Sequence, residues 1–143
     1  MPYLETLEKQ IDLLTPALKT IDTFVTSVNS FLSRKEIRFS AKYGLALIGQ
    51  DEKPLDPDGL SSGERHLLYL LCQAIIAADS GAIVIIDEPE ISLGIDWQRR
   101  LLQELLRCTA TSETQFLVAS HSMQVMAFKQ REEIVTPTEP TEK

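Results

Sequence analysis

Along residues 4–32, apolar side chains fall at Leu4, Leu7, Ile11, Leu14, Leu18, Ile21, Val25, Val28 and Leu32, in alternating steps of three and four. That spacing predicts a helix with one narrow apolar seam, at the a and d positions of a heptad. Pro16 interrupts it. Either Thr15 caps a new helix with Pro16 at its first position, or Pro16 kinks one long helix. The seam reads first as a helix or helix pair laid on the domain's own sheet. A coiled-coil arm or dimer seam is the alternative, weakened by the proline. Residues 37–40 and 45–48 then read as short strands, with Lys42, Tyr43 and Gly44 as the turn of a hairpin. Residues 50–59 carry Asp51, Glu52, Pro54, Asp56, Pro57, Asp58 and Gly59, a polar, proline-broken loop.

Residues 67–78 are apolar nearly all round and predict a buried helix. Ser61 and Glu64 stand at capping-box spacing before it, and Asp79-Ser80-Gly81 closes it. Ile83-Val84-Ile85-Ile86 is a β-branched run, the pattern of a strand buried on both faces in a parallel sheet. Asp96 is a plausible N-cap for a helix reaching Cys108, with Leu101, Leu102, Leu105 and Leu106 on its inner face. Residues 115–119, Gln-Phe-Leu-Val-Ala, predict a second buried strand, and residues 123–129 a last helix. The end of the chain, rich in Thr, Pro and Glu, predicts disorder.

The fold class is therefore α/β, with a parallel strand–helix–strand core behind an N-terminal helix and hairpin. At 143 residues the length suits about one domain. A net charge of -7 argues against a broad phosphate-binding face, though not against a local one. Cys72 and Cys108 lie in apolar helical runs without a CxxC, so both read as reduced core residues, in keeping with a cytoplasmic chain. No apolar run reaches the roughly 18 residues that a membrane span needs. The N-terminus does not have the pattern of a signal peptide.

Chemistry concentrates where the first strand ends. A buried strand should not run into Asp87-Glu88 unless its end opens on a polar site. Ligands of open α/β sheets bind at the carboxyl ends of strands. Asp87 and Glu88 thus read as a metal–phosphate site, or else as an acidic surface turn stopped by Pro89. A parallel crossover brings Ser120-His121 beside them, although a lone histidine after a strand is usually structural. Ser61, Ser62 and Gly63 open a helix whose N-terminus could take an anion, or simply form a capped helix.

Four motifs occur in a fixed order: Leu60-Ser61-Ser62-Gly63-Glu64; Ile83 to Asp87-Glu88-Pro89-Glu90; Ser92-Leu93 with Trp97-Gln98; and Ser120-His121-Ser122. Over about residues 37–128 the chain resembles the C-terminal half of an ABC-type P-loop ATPase domain, and more narrowly the SMC/RecF/overcoming-lysogenisation-defect-like AAA branch. The fold implied is a partial P-loop NTPase. Residues 1–35 would belong to a helical lobe, 36–130 to the C-terminal half of the ATPase core, and 131–143 to a disordered tail. The resemblance implies Mg-dependent ATP hydrolysis, with ATP and Mg²⁺ as cofactors. Asp87 resembles the Walker B aspartate that holds Mg²⁺, Glu88 the general base, and His121 the switch histidine at the γ-phosphate. Ser61, Ser62, Gly63 and Glu64 resemble the signature that closes over ATP of an opposite subunit. Ser92, Leu93 and Gly94 occupy the interface loop, and Gly94 departs from the usual His or Asp. The partner implied is a second copy or another ABC-type chain. A nucleic-acid link, in DNA repair or phage defence, follows by analogy alone.

The chain has no Gly-Lys pair, so no Gly-x-x-x-x-Gly-Lys-Ser/Thr loop. Gly44 and Gly49 have the glycine spacing, but Gln50-Asp51 follow. The expectation is a half-domain that does not turn over ATP alone and needs a P-loop from another segment or chain. With the strands of that half absent, the sheet should show an unpaired edge. The alternative is a non-catalytic remnant or interaction module that partners a full-length ATPase.

Overall fold

The computed structural model describes residues 2–128, with side chains from residue 14 onward. The expected tail at 131–143 lies outside the described residues, as does the last residue of the helix expected at 123–129. Of the two alternatives at Pro16 the chain takes the single helix: α1 spans Pro2–Asn29 with Pro16 inside it. Its buried face is not the heptad seam. Phe24, Ser27, Val28 and Phe31 are buried, while Val25 and Leu32 are only partly so. Phe24 within the helix and Phe31 just past its end flank the seam, and the buried face turns toward them. Leu14 and Leu18, on the seam, are 59% and 51% exposed. As expected of a helix laid on the domain's own sheet, α1 packs on the hairpin, and it also packs on the two central helices.

The hairpin forms as its sequence predicts. Strands β1 (Lys35–Ser40) and β2 (Gly44–Gly49) pair antiparallel, Ile37 opposite Leu47 and Ser40 opposite Gly44. Gly44 takes a left-handed φ of 74° where the chain re-enters the strand. The expected loop at 50–59 is more ordered than its composition suggests. A two-residue strand, β3 (Pro54–Leu55), adds to β2, and a 3₁₀ turn at Pro57–Gly59 follows. Asn29 holds the hairpin to α1 with a reciprocal pair of bonds to Ile37, accepting its N–H at 2.7 Å and donating to its carbonyl at 2.8 Å.

Helix α2 (Ser62–Ser80) begins with the capping box expected of Ser61 and Glu64, and Gly81 ends it in left-handed geometry. It is amphipathic rather than buried all round. Leu67, Leu70, Leu71, Ala74 and Ala77 face the core, whereas Tyr69 and Ile76 are exposed. Strand β4 (Ile83–Asp87), helix α3 (Ile95–Cys108) and strand β5 (Gln115–Ala119) form the strand–helix–strand unit, and the short α4 (Met123–Met126) follows. Gly94, not Asp96, is the N-cap of α3; Asp96 sits in the first turn. Leu101, Leu105 and Cys108 form the inner face, and Leu106 points outward.

Strands β4 and β5 are parallel, with Ile83 opposite Gln115, Ile85 opposite Leu117 and Asp87 opposite Ala119. Among the described residues this sheet has two strands. Neither is buried on both faces, contrary to the reading of their sequences. Exposure alternates along each, since successive side chains point to opposite sides. Val84, Ile86, Phe116 and Val118 pack on the helical core. Ile83, Ile85 and Leu117 stand on the outer face at 67%, 74% and 61% exposure. The chain is thus a mixed α/β structure in keeping with a partial P-loop NTPase fold.

Candidate functional site

The carboxyl end of β4 becomes polar within one residue. Asp87 is the last strand residue and is exposed, on the same outer face as Ile83 and Ile85. Glu88 turns the chain with φ of 46°, an uncommon left-handed conformation for a side-chain-bearing residue. Its N–H still donates to the Ala119 carbonyl at 2.8 Å, one bond beyond the ladder, which keeps the two strand ends abreast. The side chains of Glu88 and His121 therefore meet across the sheet edge, Oε1 and Nε2 being 3.8 Å apart. The imidazole is 91% exposed and the Glu88 carboxylate 44%. Asp87 precedes Glu88 at the same strand end. A carboxylate and an imidazole so placed can share one water or flank one phosphate.

The two loops are joined by a residue not assigned a role from the sequence. Glu90 Oε1 accepts the backbone N–H groups of His121 at 2.8 Å and Ser122 at 3.0 Å. Burial pushes the Glu90 carboxyl up, but hydrogen bonds from its own backbone, the Ser120 side chain and these two N–H groups outweigh it. They hold the group below the ordinary value of 4.5. A second strap runs through Gln98. Its amide donates to the Leu93 carbonyl at 2.8 Å, and its oxygen accepts the Ser122 hydroxyl at 2.6 Å. Glu90 and Gln98 fall within the motifs that carry the resemblance, but the sequence gives neither of them a role of its own. Their hydrogen-bond partners lie 31 and 24 residues away.

The residues at the start of α2 form a second cluster. Ser61 Oγ accepts the Glu64 N–H at 3.2 Å, and Glu64 Oε2 accepts the Ser61 N–H at 2.6 Å. The Glu64 carboxylate is turned into the fold, where Lys35 Nζ lies 2.9 Å away. Burial pushes this carboxyl up as well. The Ser61 N–H, Lys35 and the Ser61 hydroxyl prevail and keep it low. Ser61 and Ser62 are exposed. Gly63 is buried against the loop after β4: a Cβ there would lie 2.4 Å from the Ser92 carbonyl oxygen. In that loop Ser92 is exposed with φ of 64°, Leu93 is buried and Gly94 is exposed. His66 Nε2 completes the link, 3.2 Å from the Pro89 carbonyl.

The fold thus brings Asp87, Glu88 and His121 to one edge, and Ser61–Glu64 against Ser92 and Leu93. His66 and the loop 88–94 connect the two groups. Among the described residues no three His, Cys, Asp or Glu side chains gather to hold a metal ion. Asp87 offers one exposed carboxylate, which suits Mg²⁺, an ion that keeps waters and takes phosphate oxygens beside one or two carboxylates.

Residues 3–127 match the family model described as "AAA domain, putative AbiEii toxin, Type IV TA system". No curated protein matches the chain.

Proposed function

The chain belongs to this AAA-domain family, and from that premise we propose that it is the signature, Walker B and switch-histidine half of an ABC-type ATPase site. The family supports nucleotide binding, Mg²⁺ and ATPase-like activity in general terms. The observation that carries the finer reading is the meeting of Glu88 and His121 beside Asp87 at the end of a parallel strand pair. Asp87 would hold Mg²⁺ together with phosphate oxygens and water, and the ion supplies charge neutralisation when bound. Glu88 takes the proton of the attacking water. His121 contacts the terminal phosphate. Ser61 and Ser62 present the signature to a nucleotide on the opposite subunit, while Gly63 and Glu64 shape that turn. The loop Ser92–Gly94 lies at the subunit interface.

The sequence holds no Gly-Lys pair, so the phosphate cradle comes from another segment or chain, which forms a split site. Residues 1–35 then end a helical lobe, and 36–130 are the C-terminal part of the core. Among the described residues no helix is long and apolar enough to cross a membrane. The two free cysteines, Cys72 and Cys108, are the ground on which we assign the chain to the cytoplasm. A link to nucleic acid rests on analogy, and the net charge of -7 speaks against it. The inward-turned Glu64 and the absence of a Gly-Lys pair favour one other reading, a non-catalytic module that partners a complete ATPase.

Mixing the chain with a polypeptide that carries Gly-x-x-x-x-Gly-Lys-Ser/Thr and measuring Mg-ATP turnover separates the two. The split site requires no turnover by either part and turnover by the mixture. Glu88→Gln should then lower the mixture's rate by about 10²–10⁴, the range of general acid–base contributions. Turnover by the isolated chain that Glu88→Gln abolishes would overturn the split-site reading. Turnover of a complete partner that is indifferent to Glu88→Gln supports the non-catalytic module.

A further inference from the structure

We infer that Glu90 is a positioning residue, which holds the loop bearing His121 in register with the turn bearing Glu88. The inference rests on the role of His121 proposed above. Glu90 sits in a turn closed by two backbone bonds, Ile91 N–H to the Glu88 carbonyl at 3.1 Å and Leu93 N–H to the Glu90 carbonyl at 3.0 Å. From that anchored backbone its carboxylate crosses to β5. One oxygen takes the N–H groups of two consecutive residues, His121 and Ser122. Two adjacent N–H vectors converging on one atom fix the direction in which the chain leaves the strand.

The other carboxylate oxygen, Oε2, is buried and has no hydrogen-bond partner. A surface carboxylate would not be placed this way, and a buried one is costly unless its bonds are needed. Bonds to an ionised acceptor are also the strong ones. Glu90 further occupies two N–H groups that a phosphate could otherwise take. The imidazole is then the contact this loop offers. Ser122, bonded to Glu90 through its N–H, is tied through its hydroxyl to Gln98 and so to Leu93. A shift of the interface loop would be felt at His121 through these side chains.

The test compares wild type, Glu90→Ala and Glu90→Gln in the full chain by amide hydrogen exchange read residue by residue. Glu90→Ala should speed exchange at His121 and Ser122 by about tenfold or more, the effect of losing a charge-assisted bond. Glu90→Gln keeps an acceptor oxygen in the same place and should stay within about threefold of wild type. The inference is overturned if Glu90→Ala leaves both amides at wild-type rates. It is equally overturned if Leu117 and Val118 accelerate by the same factor, since the role would then be general stability. In the mixture that turns over Mg-ATP, Glu90→Ala should cut kcat about tenfold with KM within about twofold, and Glu90→Gln should restore it. An unchanged kcat overturns positioning. If the wild-type mixture shows no turnover, the proposed function has failed, while amide exchange still decides whether Glu90 holds His121.

Discussion

On the inner face of the β4–β5 pair, Ile86 is 7% exposed and packs, with Val84, Phe116 and Val118, on a core that includes Leu67, Leu71, Leu101 and Leu105. On the outer face, Ile83, Ile85 and Leu117 are 67%, 74% and 61% exposed. The side chains are of one kind; only the neighbours differ. Helices α2 and α3 cover one side of the sheet. No described element covers the other, where Asp87 stands in line with the isoleucines. The difference teaches that the composition of a strand reports the surroundings in which it works, while its exposure reports only those that this chain brings. A strand apolar on both faces and bare on one is half of a layered structure. The outer face leads straight to Asp87, so whatever covers it also stands beside the candidate site.

The comparison predicts the largest effect for the inner side. Leu101 is fully buried between α3 and the rest of the core, and Leu101→Ala should cost about 3 kcal/mol in urea denaturation. A loss near zero would mean that the inner side is as loosely packed as the outer. Gly63→Ala comes next. Its new Cβ would meet the backbone of Ser92, which cannot swing aside as a flexible side chain can. About 1–3 kcal/mol should be lost in the same measurement, the usual cost of overpacking. Gly63→Ala should also displace the loop 92–94, seen as shifted Ser92 and Leu93 amide resonances.

Smaller effects belong to the cap that starts α2. Ser61→Ala removes one half of the capping box and should cost about 1 kcal/mol. Its other half responds to pH. The folded Glu64 carboxyl lies below its ordinary value of 4.5, so its contribution is complete above that value. It is lost as pH falls through the lower folded value. Glu90 follows the same rule. Thermal midpoints measured downward from about pH 5 should therefore fall less steeply for Glu64→Gln than for wild type. Parallel curves would show that the bonds from Ser61 and Lys35 do not hold the carboxyl low.

Local rules made the hairpin, the capping box and the parallel pair legible, because each depends on residues near in sequence or on one strand–helix–strand step. Ser61 and Glu64 are three apart, and Lys42-Tyr43-Gly44 is a turn by composition. The meeting of Glu88 with His121 was legible through topology, since parallel strands end together. What could not be read depended on distant partners. The heptad seam of α1 was a true pattern, but Phe24 and Phe31 outweigh it by packing, Phe31 with Trp97 at a centroid distance of 5.6 Å. The cap of α3 fell at Gly94 because Gln98 and Trp97 bond back to its carbonyl, at 3.0 and 2.9 Å, which no side-chain rule foretells. Glu90 and the contact of Gly63 with Ser92 lie between loops and leave no periodic trace.

The smallest effect is the most telling. Ile85→Thr keeps a β-branched residue in the strand and changes only what the outer face shows to water. In the chain alone its stability should stay within about 0.5 kcal/mol of wild type, as for other exposed positions. The same change made inside a covered sheet would remove buried apolar surface and leave a hydroxyl to satisfy. The substitution thus reads the surroundings of the face directly. Urea midpoints measured with and without a polypeptide that carries Gly-x-x-x-x-Gly-Lys-Ser/Thr should differ. Ile85→Thr is neutral without it and destabilising with it if that polypeptide lies on the outer face. Equal midpoints in both conditions would place the covering element elsewhere and leave Asp87 open to solvent. A large loss in the chain alone would mean that the two faces are not as unlike as their exposures say.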